Sequence, residues 1–125
     1  MFKERSLSAA ALLSALVLSG ACGTSAGSSA LPGGDAGRGK EAIARYACGA
    51  CHTIPGIEGA NAVVGPPLSG IAVRKTLGGH LENTPANMVK WIQHPQQIDP
   101  KNVMPELGVT EQDAKDITAY LYTLK

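Results

Sequence analysis

The sequence Cys48-Gly49-Ala50-Cys51-His52 constrains the fold of this chain more than any other segment. Two thiols at this spacing, with a histidine directly after the second, are the attachment sequence for c-type haem, because both sulfurs reach one edge of the porphyrin. The imidazole of His52 is then the proximal ligand of the iron. One covalently bound haem c is therefore the predicted cofactor, and the chain must fold around this large flat group.

The cysteine pair has two alternative interpretations. Half of a zinc site would need two further Cys or His ligands at matching spacing. A thioredoxin-like redox pair would need a βαβ context. The sequence offers neither pattern, so haem attachment is the preferred interpretation.

The composition agrees with a small chain built around a cofactor. A length of 125 residues fits one domain and a targeting segment. Aromatic residues make up only 4% of the chain, so side chains alone give a thin core that a haem would fill. Without residues 1–21, nine Lys or Arg balance nine Asp or Glu, which argues against a nucleic-acid-binding face and against recognition by a long-range field alone.

The N-terminus has the features of an export signal. Basic residues at positions 3 and 5 precede an apolar run over residues 7–18, which is too short to span a bilayer comfortably. The segment Leu18-Ser19-Gly20-Ala21-Cys22 resembles a bacterial lipobox, in which the cysteine receives lipid. Residues 1–21 are thus predicted to be a signal peptide and Cys22 a lipid anchor. Ordinary cleavage nearby, with Cys22 left as a free thiol, is the alternative.

The following segment, residues 22–34, has the composition of a flexible tether. It is rich in glycine and serine and carries no charge. The folded domain is therefore expected over residues 35–125. Export places the protein outside the cytoplasm, in the periplasm or cell envelope, and the predicted lipid would anchor it to a membrane.

Three main helices are predicted, which makes the class all-α. Asp35 can cap a helix over residues 37–47, and Thr84 followed by Pro85 starts a helix that ends near residue 93, before Pro95. Thr110 opens a final amphipathic helix whose apolar positions are Ala114, Ile117, Leu121 and Leu124. The glycines and prolines of residues 54–79 predict ordered loops between the helices.

A sixth ligand on the iron is needed if the protein transfers electrons, and a thioether is the ligand that raises the reduction potential. Met104 is the best candidate, because it lies between two predicted helices in Asn102-Val103-Met104-Pro105. Met88, within a predicted helix, is better explained as a core residue. His80 and His94 are the remaining candidates.

With these residues placed, residues 35–125 resemble the class I cytochrome c family, and are similar to bacterial monohaem domains associated with respiratory oxidases. Gly39 stands where the family packs a small residue of the first helix against an aromatic of the last, here Tyr120. In Gly65-Pro66-Pro67-Leu68, the resemblance implies that the Pro66 carbonyl accepts the proton on the far nitrogen of His52. It also implies that Leu68 belongs to the haem-binding loop.

The resemblance assigns three further haem contacts. Arg74, six residues after Leu68, matches the arginine that pairs with a haem propionate, and Trp91 matches the aromatic that lies against the haem and the methionine ligand. Asn83 stands where the family often has a tryptophan bonded to a propionate, and the resemblance implies a propionate contact at this position.

The implied function is that of a single-electron carrier in an extracytoplasmic respiratory chain. Its partners would be an electron-donor complex and a terminal oxidase or reductase. The sequence shows no acid–base pair and no nucleophile with its base, so the chain is not expected to be an enzyme by itself. A haem subunit of a larger oxidoreductase and a haem-based gas sensor or weak peroxidase are the alternatives.

Overall fold

The computed structural model describes residues 31–125, so the expected signal peptide, Cys22 and most of the tether lie outside the described residues. Helix α1 spans Ala36–Arg45, α2 Pro85–Gln93, α3 Pro95–Ile98 and α4 Glu111–Leu121. Single 3-10 turns lie at Cys48–Ala50 and Ile71–Val73, and two short strands, β1 and β2, at Thr76–Leu77 and Leu81–Glu82. The predicted all-α class is confirmed, with α3 as a short addition to the three main helices.

Each main helix begins at its predicted cap. The side chains of Asp35, Thr84 and Thr110 each accept a hydrogen bond from the backbone N–H three residues further on. These N–H groups have no partner within the helix, so a polar side chain at the cap position stabilises the first turn. Asp113, three residues after Thr110, also accepts from the Thr110 hydroxyl at 2.9 Å.

Helices α1 and α4 end earlier than predicted. Ala47 adopts a left-handed conformation with φ 54°, which stops α1 and turns the chain into Cys48. This region is unfavourable for a residue with a Cβ, by about 1–2 kcal/mol. At the other end, α4 stops at Leu121, and the carbonyl of Leu124 accepts from Ala72 N in the 3-10 turn at 3.1 Å.

The two strands form an antiparallel hairpin that the sequence did not predict. Thr76 pairs with Glu82 and Leu77 with Leu81. Strands of two residues are too short to show an alternating pattern. Gly78 and Gly79, both with positive φ, make the turn between them.

Helices α1 and α4 cross in contact at Gly39. A Cβ at this position would overlap the carbonyl oxygen of Asp116 and press on the Cβ of Tyr120. The predicted approach of Gly39 to Tyr120 is therefore confirmed. The carboxylate of Asp116 is 2% exposed and accepts from Arg38 Nε and Nη2 and from Asp35 N, each at 2.8 Å. It ties the start of α1 to the middle of α4.

This carboxylate makes the stability of the fold depend on pH. Hydrogen bonds from Arg38 hold the pKa of Asp116 below its usual value, against the opposing effect of burial. The ionised form therefore stabilises the fold at pH values above about 4, and this contribution is lost as the pH falls through the lower pKa of the folded protein.

We expect Asp116→Asn to reduce the free energy of unfolding by about 1–3 kcal/mol at neutral pH. The gap between the two proteins should narrow as the pH falls below about 4. Denaturant unfolding at a series of pH values measures this. Glu111→Gln, which removes a surface ion pair with Lys115, is the control and should change stability little. A gap that stays constant down to the lowest pH would contradict the assignment.

The helices and loops bury one cluster of apolar side chains, many of which surround an internal cavity. Met88 is 2% exposed and belongs to this core, as the sequence predicted. The other buried apolar residues include Ala42, Ile43, Ile54, Ile71, Leu77, Val89, Ile92, Val109, Ala114, Ile117 and Leu121. Within residues 31–125, no helix combines the length and apolar character needed to cross a membrane.

Candidate haem site

A cavity of about 770 Å³ opens between the helices, and its volume suits a large organic cofactor. Its walls are mostly apolar and come from α1, α2, α4 and the loops between them. The motif residues Cys48, Cys51 and His52 all line it. Eight of the nine predicted haem-binding residues lie on this wall, namely Cys48, Cys51, His52, Pro66, Leu68, Arg74, Trp91 and Met104.

Both motif cysteines are half-buried, and they form no disulfide bond with each other. Burial raises the pKa of the Cys48 thiol above its usual value, so the thiol is neutral at physiological pH. Redox-active cysteine pairs instead have a thiol pKa lowered by their surroundings. Within residues 31–125, no three His, Cys, Asp or Glu side chains gather as a metal-binding cluster, so the zinc alternative lacks its further ligands there.

The ring of His52 is oriented by a hydrogen bond to the main chain. Its Nδ1 lies 2.7 Å from the carbonyl oxygen of Pro66. Because a carbonyl oxygen only accepts, Nδ1 carries the proton, and Nε2 keeps the lone pair that a metal ion requires. Gly65 makes this approach possible, since a Cβ there would overlap the His52 ring.

Backbone hydrogen bonds hold the haem motif against the loop that contains Pro66. Gly65 N donates to Cys51 O at 2.7 Å, and Leu68 N donates to Thr53 O at 2.8 Å. These bonds flank His52 on both sides, so the position of its ring follows from the main chain of two segments. The arrangement is preorganised for a ligand on the cavity side.

Met104 lies on the wall of the same cavity and is half-buried. Its backbone N–H donates to the side-chain oxygen of Asn102 at 2.9 Å, which fixes the turn before it. Met88 also lines the cavity, from α2. The lining, within the described part of the chain, does not include His80 or His94. His80 instead contacts the carboxylate of Asp99 at 3.2 Å.

Arg74 and Trp91 line the cavity, whereas Asn83 is not part of the lining. Nη2 of Arg74 donates to the carbonyls of Pro67 and Ser69. The ring of Trp91 packs on the turn at Gly78, where a Cβ would overlap it.

Asn83 instead forms hydrogen bonds with the backbone of the loop that carries Arg74. Its Nδ2 donates to Ile71 O and Arg74 O, both at 2.8 Å, and its Oδ1 accepts from the Tyr122 hydroxyl at 2.7 Å. Both amide hydrogens are therefore engaged by the protein. Asn83 thus links the end of the chain to the loop before β1.

Several cavity residues were not singled out from the sequence. The hydroxyl of Tyr46 donates to Asp113 at 2.8 Å, which holds Tyr46 at the end of α1 against α4. Asn102 could have been singled out from the sequence. It stands two residues before Met104, a spacing at which an asparagine side chain can accept from the backbone N–H. The other polar residues on the wall are Thr76, Asp99 and Lys101.

The chain is similar to several known proteins. The family model of cytochrome c matches residues 36–125. The structure of cytochrome c2 from Rhodobacter sphaeroides superimposes with a TM-score of 0.56 and 26% sequence identity, over 73% of this chain and 96% of that one.

Two curated relatives are cytochrome c oxidase subunit 2 proteins. The protein from Alkalihalophilus pseudofirmus is 32% identical over 91 residues, which cover 72% of this chain and 26% of the relative. That of Bacillus sp. strain PS3 is 30% identical over 89 residues, covering 68% of this chain and 25% of the relative. The chain thus spans about a quarter of the length of these relatives. It belongs to the class I cytochrome c family, whose members are electron carriers, and it holds one covalently bound haem c.

Proposed function

We propose that this chain is a single-electron carrier whose haem is bonded to Cys48 and Cys51 and ligated by His52 and Met104. The observation that carries the proposal is that all four side chains line one apolar cavity, in which the Nδ1 of His52 is already engaged by Pro66. If His52 and Met104 both bind the iron, the iron would have no open position for a substrate, and electron transfer through the haem edge would remain as its function.

Different residues of the chain have different roles in the proposed electron transfer. The haem supplies an iron that alternates between the ferrous and ferric states. The hydrogen bond from Nδ1 to Pro66 holds the His52 ring and increases its basicity. The thioether of Met104 favours the reduced state and raises the potential. The apolar walls exclude water, while Arg74, which retains unused donors, is proposed to bind a haem propionate.

The rim of the cavity supports a contact with a redox partner. Val64, Val103 and Leu107 line the cavity, yet they are 71%, 83% and 42% exposed. Exposed apolar side chains grouped at one opening are typical of protein interaction sites. We propose that a partner docks at this rim and that a terminal oxidase is the acceptor, as the names of the two curated relatives favour.

A redox titration of the purified protein tests the proposal. We expect one wave that involves a single electron per chain, and rapid reoxidation of the ferrous protein by a small outer-sphere oxidant. The ferrous protein should bind carbon monoxide slowly, because Met104 occupies the distal position. Rapid carbon monoxide binding by the unaltered protein would favour a sensor or peroxidase instead.

A second candidate is the haem-bearing part of a larger oxidoreductase. The observation that favours it is that the matched region is only about a quarter of each oxidase subunit 2 relative. Purification of the native protein under mild conditions separates the two candidates. A stable, stoichiometric partner would support the complex, whereas a monomer that exchanges electrons with several partners would support the free carrier.

The proposed location is the periplasm or cell envelope, with lipid on Cys22 that anchors the protein to a membrane. We expect Cys22→Ser to move the protein from the membrane fraction to the soluble fraction, because its acyl chains supply the membrane affinity. Fractionation and the intact mass of the mature protein measure this. A mature N-terminus at another residue, with no added lipid mass, would contradict the anchor.

A further inference from the structure

The hydroxyl of Tyr122, just past the end of α4, is connected through Asn83 to the 3-10 turn that precedes Arg74. It donates to Asn83 Oδ1 at 2.7 Å. The Nδ2 of Asn83 donates in turn to Ile71 O and to Arg74 O, both at 2.8 Å. A carbonyl oxygen only accepts, so the NH₂ end of the amide must face the turn. Three hydrogen bonds therefore fix the orientation of the Asn83 side chain.

The end of the chain also contacts this turn directly. Ala72 N donates to Leu124 O at 3.1 Å, so the turn is held by bonds at its beginning, in its middle and at the residue that follows it. Loops are generally more mobile than the elements that they connect, and bonds to distant segments restrict that motion. We name Asn83, Tyr122 and Leu124 together the C-terminal clamp.

The clamp lies next to the cofactor site without being part of its wall. Arg74 lines the cavity, whereas the three clamp residues do not. Burial raises the pKa of the Tyr122 hydroxyl above its usual value, so the group stays protonated, and remains a donor, throughout the physiological range. The route from the clamp to the cofactor therefore runs through the backbone of Arg74.

We propose that Tyr122 is a positioning residue for the haem, because through Asn83 it fixes the backbone from which Arg74 reaches a haem carboxylate. This inference rests on the proposed role of Arg74. Charge-assisted contacts of a guanidinium depend on its placement, so residues that lock the supporting loop determine how well it binds. Both amide hydrogens of Asn83 are engaged, and Asn83 thus acts through Arg74 instead of donating to the haem itself.

Loss of the Tyr122 hydroxyl should reach the iron as an electrostatic effect. Without this donor the amide of Asn83 is less firmly oriented, and the loop can move away from the position that suits Arg74. The negative charge of the haem carboxylate is then less well balanced, which favours ferric over ferrous iron. The reduction potential should therefore fall.

Tyr122→Phe tests this, because it removes only the hydroxyl and keeps the ring. At a fixed ambient potential, we expect the ratio of ferrous to ferric protein to fall by about two- to tenfold, the scale of one hydrogen bond. Tyr120→Phe is the matched control, since the Tyr120 hydroxyl is also affected by burial but donates to Pro55 O at 2.7 Å. It should lose comparable thermal stability and keep the ratio unchanged.

A double-mutant cycle with Arg74→Gln shows whether the effect passes through Arg74. Arg74→Gln should lower the ratio at least as much as Tyr122→Phe, and the double variant should be no lower than Arg74→Gln alone. Additive effects, or an unchanged ratio in Tyr122→Phe, would overturn the inference and leave the role of Arg74 intact. An unchanged ratio in Arg74→Gln would refute that role and this inference with it.

Two spectra separate this inference from the proposed ligation of the iron. The near-infrared sulfur-to-iron band should persist in every variant of the cycle, and its absence from the unaltered protein, with a non-additive cycle, would refute Met104 as ligand and sustain the clamp. In the unaltered protein, magnetic resonance should show slow exchange of the Asn83 side-chain amide protons. Exchange at the rate of an exposed amide would overturn the inference without any variant.

Discussion

Replacement of Cys48 and Cys51 together by alanine is expected to abolish covalent haem and to unfold most of the domain. Both thiols line the cavity that most of the core surrounds. Without haem, the apolar walls of this cavity would face water, at a cost of about 25 cal/mol per Å² of exposed apolar surface. A domain is ordinarily stable by only ~5–15 kcal/mol, so it cannot easily bear this loss. The apo chain should therefore fail to fold alone.

Denaturing electrophoresis with a peroxidase stain, followed by far-ultraviolet circular dichroism, measures both effects. The double variant should show no stained polypeptide and should lose most of its helical signal. Cys22→Ser is the matched cysteine control and should keep the stain. Haem that extracts into acidic solvent from the unaltered protein would show that no thioether bonds form, and the prediction would fail.

Replacement of Met104 by alanine is expected to change the chemistry of the iron while the fold persists. Met104 is half-buried in a loop, so its truncation removes less packing than truncation of a core residue. Loss of the thioether should lower the reduction potential and open a coordination position. The ferrous variant should then bind carbon monoxide rapidly, and the ferric variant should gain peroxidase activity.

Met88→Ala is the matched control for this substitution. Met88 also lines the cavity, but it is 2% exposed within α2. Its truncation should reduce the free energy of unfolding by about 2–5 kcal/mol and leave the iron ligands unchanged. Carbon monoxide kinetics and thermal unfolding distinguish the two variants. Equal carbon monoxide rates in both would contradict the assignment of Met104.

Local signals in the sequence were sufficient to predict the three main helices. Asp35, Thr84 and Thr110 each cap a helix through contacts within three residues, and such contacts depend little on the rest of the fold. The helix ends were less predictable. Leu124 lies beyond the end of α4, and its carbonyl accepts from Ala72, a partner distant in sequence.

Parts of the site could be predicted because they consist of residues that lie close together in the sequence. The haem motif is contiguous, and the loop from Pro66 to Leu68 was assigned by its resemblance to a family pattern. The role of Asn83 was not predictable in this way. Its amide bonds to Ile71, Arg74 and Tyr122, and only the folded chain brings these residues together.

Asn102, which lines the cavity, was also only partly predictable from the sequence. Its Oδ1 contact to Met104 N is local, so the sequence could have predicted the turn that this bond closes. Among the described residues its buried Nδ2 has no hydrogen-bond partner, and this is a property of burial, which the sequence does not specify. The family resemblance did not single out this residue either.

The near-infrared absorption of the oxidised protein tests the central claim most directly, because a sulfur-to-iron charge-transfer band arises only when a thioether is bound opposite the histidine. We predict a weak band of this kind in the unaltered protein and in Met88→Ala, and its complete loss in Met104→Ala. A band that persists in Met104→Ala, or that is absent from the unaltered protein, would contradict the ligation of the iron by His52 and Met104.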